Sequence, residues 1–190
     1  MGRIVITTNI TLDGVVQDPD GQEGTAVGGW FRDAGGADLE PWSALVTQEA
    51  LDASALLLGR RSETWFGTRW RERDGVLADR LRELPKHVVS STLAPTAWDE
   101  VVVLAGDVLK EVAALREEVD GDILVYASYQ LGRALLAAGL VDEVRLFVFP
   151  VVVGSGERLF TDGTETADLH LTGSETVGKN LVRLTYSVAA

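Results

Sequence analysis

The stretch Ala55-Leu56-Leu57-Leu58-Gly59-Arg60-Arg61-Ser62 carries most of the information about the fold of this chain. Its apolar residues predict a short buried strand that ends at Gly59. We expect a helix to begin near Ser62, with the two arginines beside its N-terminus. Free N–H groups at a helix N-terminus, a hydroxyl and two guanidinium groups all donate hydrogen bonds to anions. The stretch therefore predicts a phosphate site at a strand-to-helix junction, with a plain serine-capped helix start as the alternative.

Short apolar runs alternate with helical patterns on both sides of this stretch. Strands are predicted at residues 3–10, 55–58, 87–89, 101–104 and 123–126, with helical spacing between most of them. The later part of the chain changes to strands, at 144–153, at 169–171 and in the alternating segment 182–188. This order predicts an α/β fold with three αβα layers and a mainly parallel central sheet that has antiparallel strands at one edge. Without a repeat or linker, residues 1–190 are expected to form a single domain.

The residues that follow the other predicted strands are further candidates, because open α/β sheets bind ligands beyond the carboxyl ends of their strands. Ser90, Ser91 and Thr92 follow one strand and suit a phosphate or a ribose. Ala127-Ser128-Tyr129-Gln130 follow another, where small residues leave room for a pyrophosphate on a helix N-terminus. Thr11-Leu12-Asp13-Gly14 place a carboxylate and a turn after the first strand. Each segment also has a plainer interpretation as a turn or an N-cap.

Other nucleotide and catalytic motifs fit less well. Gly154-Ser155-Gly156 is not followed by a convincing helical pattern, which a dinucleotide fingerprint requires. Ser128 with His170 downstream is a possible hydrolase pair, but the flanking glycines of a nucleophile elbow are absent. The two histidines, His87 and His170, lack ligand spacing, so no metal site is expected. Residues 12–36 are dense in glycine and aspartate and predict a long functional loop.

Composition narrows the class of protein. The chain has 190 residues, 46% of them hydrophobic and 24% charged, which is ordinary for a globular protein. The net charge of −12 disfavours nucleic acid and anionic membrane surfaces as partners. No cysteine is present, which excludes disulfides, thiolate catalysis and cysteine-bound zinc. No stretch is long and apolar enough for a membrane helix, and we expect the protein to be cytoplasmic.

The order of the motifs resembles that of the dihydrofolate reductase superfamily. The resemblance is carried by Thr11-Leu12-Asp13-Gly14, Leu56 to Ser62, Lys86-His87-Val88-Val89-Ser90-Ser91-Thr92-Leu93, Ile123 to Ser128, and Leu140 to Glu143 with Phe149 to Phe160. More narrowly, the chain is similar to the stand-alone proteins that resemble the C-terminal reductase domain of bacterial riboflavin biosynthesis. The resemblance covers nearly the whole chain and implies a dihydrofolate reductase-like fold.

The resemblance also implies NADPH as the cofactor. Arg60, Arg61 and Ser62 would hold phosphates, including the 2′-phosphate, and Ser90 and Ser91 would meet the adenosine end. The segment that begins at Ala127 would lie under the pyrophosphate, and Asp13 with Gly14 beside the nicotinamide. The full set of implied cofactor residues is Gly14, Gly59, Arg60, Arg61, Ser62, Ser90, Ser91, Thr92, Ala127, Ser128, Tyr129, Gln130 and Leu131. The family commonly dimerises through the late strands, so residues 144–153 are expected at a homodimer interface.

The resemblance has two departures that bear on function. The family usually has a glycine at the place of Ala127, and a methyl group there is expected to crowd the pyrophosphate. Dihydrofolate reductases carry an acidic residue on the first helix, whereas Ser43 stands near that place, so folate reduction is disfavoured.

The leading hypothesis is an NADPH-dependent reductase of a small heterocyclic or carbonyl substrate. Asp13 would be the polar catalytic contact, and Trp30 or Trp65 would stack on the substrate. The rival is a non-catalytic NADPH-binding sensor or dimeric scaffold.

Overall fold

The computed structural model describes residues 1–92, 96–161 and 167–189, and it does not describe Leu93, the last residue of the third motif quoted above. The strands of these residues are β1 (Arg3–Thr11), β2 (Ala53–Gly59), β3 (Lys86–Val89), β4 (Val101–Leu104), β5 (Asp122–Tyr126), β6 (Glu143–Phe149), β7 (Leu169–Val177) and β8 (Leu181–Val188). The helices are α1 (Trp30–Gly35), α2 (Leu39–Asp52), α3 (Arg60–Trp70), α4 (Val76–Glu83), α5 (Val108–Glu118) and α6 (Tyr129–Ala137).

The strands of the described residues form one sheet in the order β4-β3-β2-β5-β1-β6-β8-β7. Neighbouring strands pair in parallel from β4 through β6. Strand β8 runs antiparallel to both β6 and β7. The predicted sheet, mainly parallel with antiparallel pairing at one edge, is therefore confirmed.

Side chains along the central strands point alternately to the two faces of the sheet. Both faces therefore carry apolar side chains, and helices cover both. On β2, Leu56 and Leu58 pack in the apolar cluster under α1 to α4, whereas Leu57 packs in the cluster under α5 and α6. Strands buried on both faces have no polar face, which explains why β2 reads as a continuous apolar run. The predicted three-layer αβα architecture is confirmed. No helix of the described residues is long and apolar enough to cross a membrane.

The path of the chain places several loops at one edge of the sheet. From β2 the chain moves outward to β3 and β4, and then returns to insert β5 between β2 and β1. Since β1 to β6 all run in the same direction, the loops that follow them lie along one carboxyl edge. This is the edge at which α/β proteins of this kind bind ligands.

Several elements differ from the sequence prediction, among them β7, which was predicted at residues 169–171 and runs from Leu169 to Val177. Helix α3 begins at Arg60 rather than near Ser62, so both arginines lie in its first turn. The predicted loop 12–36 contains the short helix α1 (Trp30–Gly35). Strand β6 ends at Phe149, because the Pro150 that follows has no N–H to donate to a neighbouring strand.

The prediction that residues 144–153 lie at a dimer interface is wrong for the side chains of Phe147 and Phe149. Both side chains are fully buried within the chain itself. The Phe149 ring centroid lies 5.4 Å from that of Trp30 and 5.2 Å from that of Phe31, and Phe147 packs edge-on against Trp42. The aromatic side chains of α1 and α2 therefore cover this face of β6, and no second subunit is needed there.

Candidate functional site

The strand ends that sequence analysis selected are neighbours in the sheet. Strand β2 pairs in parallel with β3 on one side and with β5 on the other. The segments that follow these three strands begin at Arg60, Ser90 and Ala127, and they meet at the carboxyl edge.

Two hydrogen bonds join the end of β2 to the start of α6. The Gly59 N–H donates to Ser128 Oγ at 2.9 Å, and the Ser128 N–H donates to Ser62 Oγ at 3.1 Å. Ser128 occupies the N-cap position of α6 but makes no side-chain capping bond, contrary to the sequence expectation, because its hydroxyl accepts from Gly59 instead. Helix α3 also lacks a side-chain cap. Two uncapped helix N-termini thus lie side by side, an arrangement that attracts anions.

Arg60 connects this junction to the loop after β3. Its Nη1 lies 3.2 Å from both the carbonyl oxygen and the hydroxyl of Thr92, and 3.5 Å from Ser90 Oγ. Ser90 is buried, and Ser91 and Thr92 are exposed beside it. Among the described residues, Arg60 has no carboxylate within ion-pair distance, so its positive charge is not neutralised by the chain.

A pocket of about 350 Å³ lies on the outer side of α3. Its lining residues are Gln22, Glu23, Arg60, Arg61, Thr64, Trp65, Thr68 and Arg69. The Arg69 guanidinium lies 4.9 Å from the centre of the Trp65 ring, a cation–π contact. Sequence analysis missed Arg69, although Arg61, Trp65 and Arg69 follow the four-residue spacing of a single helix face.

The predicted substrate residue Trp65 is held by the loop that follows β1. The Trp65 Nε1–H donates to Asp20 Oδ2 at 2.9 Å. In the same loop, the Glu23 carboxylate pairs with Arg61 at 3.1 Å. This loop, residues 18–29, therefore forms one wall of the arginine-lined pocket.

Trp30, the second predicted substrate residue, belongs to a different pocket. Its ring is buried, and its Nε1–H donates to the carbonyl oxygen of Gln17 at 3.1 Å. The pocket measures about 310 Å³ and is lined by Ala26, Val27, Gly28, Trp30, Asp33, Ala34, Val151 and Val153. Residues of the loop 18–29 line both pockets, so this loop separates them. The two tryptophans do not line the same pocket.

Asp13 is engaged in holding the backbone. Its carboxylate accepts hydrogen bonds from the Thr11 hydroxyl at 2.7 Å, from the Gly154 N–H at 2.8 Å and from the Val153 N–H at 3.3 Å. The bond from Thr11, together with those from Gly154 and Val153, lowers the pKa of Asp13 below its ordinary value. Gly14 makes the tight turn that follows, with φ at +84°. These three bonds fix the orientation of the Asp13 carboxylate, and its role as a polar catalytic contact stays a prediction.

The start of α6 combines candidates of different kinds. Ala127 is exposed and has φ at +56°, in the left-handed region that favours glycine. Tyr129 lies under the Arg133 guanidinium, 5.1 Å from ring centre to carbon, and Gln130 is exposed. Leu131 is buried in the core, so only its backbone N–H faces the helix N-terminus.

Replacing Ala127 with glycine is expected to stabilise the chain by about 0.5–1 kcal/mol, because glycine adopts positive φ without the steric cost that alanine bears. The same change removes the methyl group that is expected to crowd a pyrophosphate, so NADPH binding should also tighten. Urea unfolding and a binding titration measure the two effects.

Ala134→Gly is the matched control, since Ala134 is exposed in the interior of the same helix α6. That change is expected to destabilise by about 1 kcal/mol, the usual cost of glycine in a helix. Equal destabilisation by both variants would contradict the strain assigned to Ala127.

The hydrolase interpretation is not supported by the fold. His170 lies on β7, four strands away from β5 and the Ser128 that follows it, at a distance of about 19 Å across the sheet. The Ser128 hydroxyl accepts a hydrogen bond from Gly59 instead of contacting a base.

The donors at this edge fit a ligand with several phosphates. They comprise the guanidinium groups of Arg60, Arg61 and Arg69, the hydroxyls beside them, and two uncapped helix N-termini. Phosphates prefer this chemistry, since guanidinium groups bind them with paired, charge-assisted hydrogen bonds.

Comparison with known proteins identifies relatives of the chain. The RibD C-terminal domain family matches residues 3–183. The protein YyaP from Bacillus subtilis (strain 168) is 26% identical over 188 residues, which cover 97% of this chain and 94% of YyaP.

Two solved structures show the same fold. A protein of Shewanella sp. PV-4 that is named for riboflavin biosynthesis superimposes with a TM-score of 0.70 and 18% identity, over 99% of both chains. Dihydrofolate reductase from Enterococcus faecalis, solved in complex with NADP(H) and RAB-propyl, superimposes with a TM-score of 0.61 and 13% identity, over 99% of this chain and 97% of that one. These similarities confirm the dihydrofolate reductase-like fold that the motifs predicted.

Proposed function

Because this chain belongs to the RibD C-terminal domain family, we propose that it is an NADPH-dependent reductase of a small heterocyclic or carbonyl substrate. The observation that carries the proposal is the meeting of Arg60, Arg61 and the two uncapped helix N-termini at one edge of the sheet. The structural similarity to a dihydrofolate reductase solved with NADP(H) adds support for the cofactor.

Each segment of the edge has a proposed part of the cofactor to hold. Arg60, Arg61 and Ser62 bind phosphates, including the 2′-phosphate. Ser90, Ser91 and Thr92 face the adenosine end, and the first turn of α6, from Ala127 and Ser128 to Leu131, binds the pyrophosphate with its backbone N–H groups. NADPH, when bound, supplies the hydride.

The proposed substrate site is the pocket beside Trp30. Its walls are mostly apolar, from Val27, Trp30, Ala34, Val151 and Val153, and its volume of about 310 Å³ suits a small molecule. Asp13 shapes this pocket indirectly, since its carboxylate holds the backbone N–H of Val153. The chain's part in the reaction is then to orient a flat substrate and to exclude water from it.

The alternative is an NADPH-binding sensor or scaffold without turnover. The engagement of Asp13 favours it, because the carboxylate that sequence analysis had selected already accepts hydrogen bonds from the 153–154 backbone.

Steady-state oxidation of NADPH, followed by its absorbance with a panel of pteridines, pyrimidines and small carbonyl compounds, separates the two functions. A substrate-dependent rate supports the reductase. NADPH binding without any turnover across the panel supports the sensor or scaffold.

We propose further that the protein works in the cytoplasm as a homodimer. With Phe147 and Phe149 covered by their own chain, the proposed partner surface is the β7–β8 edge, one of several places where apolar side chains are exposed. There, Leu171 is 57% exposed and residues 182–188 are all only half-buried. Sedimentation of the wild-type chain as a monomer would refute this assembly.

A further inference from the structure

Two carboxylates of one loop lie among the arginines of the arginine-lined pocket on α3. Glu23 Oε2 lies 3.1 Å from Arg61 Nη2. Asp20 Oδ2 accepts from Trp65 Nε1 at 2.9 Å and lies 3.8 Å from Arg69 Nε. These carboxylates lower the positive charge that an anion entering the pocket would meet.

The position of Glu23 is fixed by the architecture of its loop. Asp18 is almost fully buried and accepts hydrogen bonds from the N–H groups of Glu23 and Thr25, both at 2.9 Å, and from the Thr25 hydroxyl. Burial opposes ionisation of Asp18, but these bonds outweigh it and lower its pKa. A Cβ at Gly28 would lie 2.2 Å from Asp18 Oδ2, so the loop closes tightly around this carboxylate. The hydrogen bonds to Asp18 therefore fix the loop that places Glu23 against α3.

The charges of the pocket are unequally paired. Arg61 is paired with Glu23 and Arg69 lies near Asp20, whereas the described residues offer Arg60 only neutral acceptors. The guanidinium of Arg61 is also the more exposed end of its pair, with 67% of the side chain accessible against 33% for Glu23. A phosphate that enters the pocket thus meets Arg60 bonded to neutral acceptors and Arg61 paired with a carboxylate.

We propose that Glu23 is a specificity-determining residue whose carboxylate competes with the 2′-phosphate of the cofactor for Arg61. This inference rests on the proposed function, since it takes the arginine pocket to be the 2′-phosphate site. An exposed ion pair is weak, so a phosphate dianion can displace it. NADPH must break the pair, whereas NADH, which has no phosphate at that position, leaves it intact. Glu23 therefore lowers the ratio of NADPH affinity to NADH affinity that Arg60 and Arg61 create.

The test is the charge-removing variant Glu23→Gln, titrated with NADPH and with NADH by calorimetry beside the wild-type chain. The variant is expected to bind NADPH about two- to fivefold more tightly, the range of an exposed charge pair. Its affinity for NADH is expected to change by less than about twofold, because that ligand does not compete for Arg61.

Glu117→Gln is the matched control, because it removes the same charge from an exposed position of α5 on the opposite face of the sheet. It should leave both affinities unchanged within error. An equal gain from Glu117→Gln would show that net charge, and not the Glu23–Arg61 pair, governs the affinity, and would overturn the inference.

The remaining outcomes separate this inference from the proposed function. Tighter NADPH binding by Glu23→Gln, with the affinity for NADH unchanged, supports the competition. Equal affinity of wild type and variant for NADPH overturns the inference and leaves the proposed function standing. An equal gain for NADPH and NADH also overturns it, since Glu23 would then compete with the shared pyrophosphate. Absence of binding to both chains overturns the proposed function and the inference together.

Discussion

Replacement of Phe149 by alanine is expected to lower the free energy of unfolding by about 3–5 kcal/mol, the usual cost of truncating a fully buried phenylalanine. The ring has no exposed surface and packs against Trp30 and Phe31, so its removal leaves a cavity between β6 and α1. Because natural domains are marginally stable, this is a large fraction of the total. Urea unfolding followed by tryptophan fluorescence measures the change.

Phe160→Ala is the control, since the same truncation is made where 41% of the residue is exposed. We expect it to cost less than about 1 kcal/mol. A Phe149→Ala variant that keeps its free energy of unfolding but dissociates from a dimer to monomers would contradict the structure. That result would place Phe149 at a subunit interface.

Replacement of both Arg60 and Arg61 by alanine is expected to weaken NADPH binding about 100- to 1000-fold. Each guanidinium supplies a charge-assisted hydrogen bond of about 1.5–3 kcal/mol to phosphate, and two of the weaker kind already account for a hundredfold loss. Binding of NADH should fall by less than about tenfold, because the ligand retains its pyrophosphate contacts with the start of α6. Calorimetric titration of both cofactors measures the two losses.

The double variant Arg71→Ala with Arg73→Ala controls for the loss of two positive charges. Both arginines are exposed, and neither lines the pocket on α3. This variant should keep both affinities within about twofold of the wild type. Equal losses for NADPH and NADH in the Arg60 and Arg61 variant would show that these arginines do not recognise the 2′-phosphate.

The strands that proved easiest to predict from sequence are those of the parallel core. A parallel strand covered on both faces reads as an unbroken apolar run, as in residues 55–58 within β2. Since parallel strands all point their carboxyl ends to one edge, their order along the chain also locates Gly59, Ser90 and Ala127 at a common site. The positions of these three residues can therefore be predicted without knowing the conformation of any loop.

Packing across the sheet could not be predicted in the same way. Phe149 lies in the run 144–153 that was predicted at a subunit interface. The local sequence does not show that Trp30 and Phe31 pack against this ring. Glu49, on helix α2, is a second residue whose packing sequence analysis did not predict. It is buried against Arg183 at 2.9 Å, and burial raises its pKa.

The roles of acidic residues in the first loop depend on long-range hydrogen bonds. The carboxylate of Asp13 accepts hydrogen bonds from the N–H groups of Val153 and Gly154, far along the chain. Glu23 lies beside Arg61 in a loop that closes around the buried carboxylate of Asp18. No local pattern encodes either contact, so sequence analysis did not show how Asp13 is held and left Glu23 out.

Calorimetric titration of the wild-type chain with NADPH and NADH, which is the reference for both sets of variants, tests the central claim most directly. The proposed function predicts saturable binding of NADPH, with a dissociation constant of about 1–100 μM, and weaker binding of NADH. Absence of NADPH binding up to about 1 mM, or an equal affinity for the two nucleotides, would contradict the assignment of this edge of the sheet as an NADPH site.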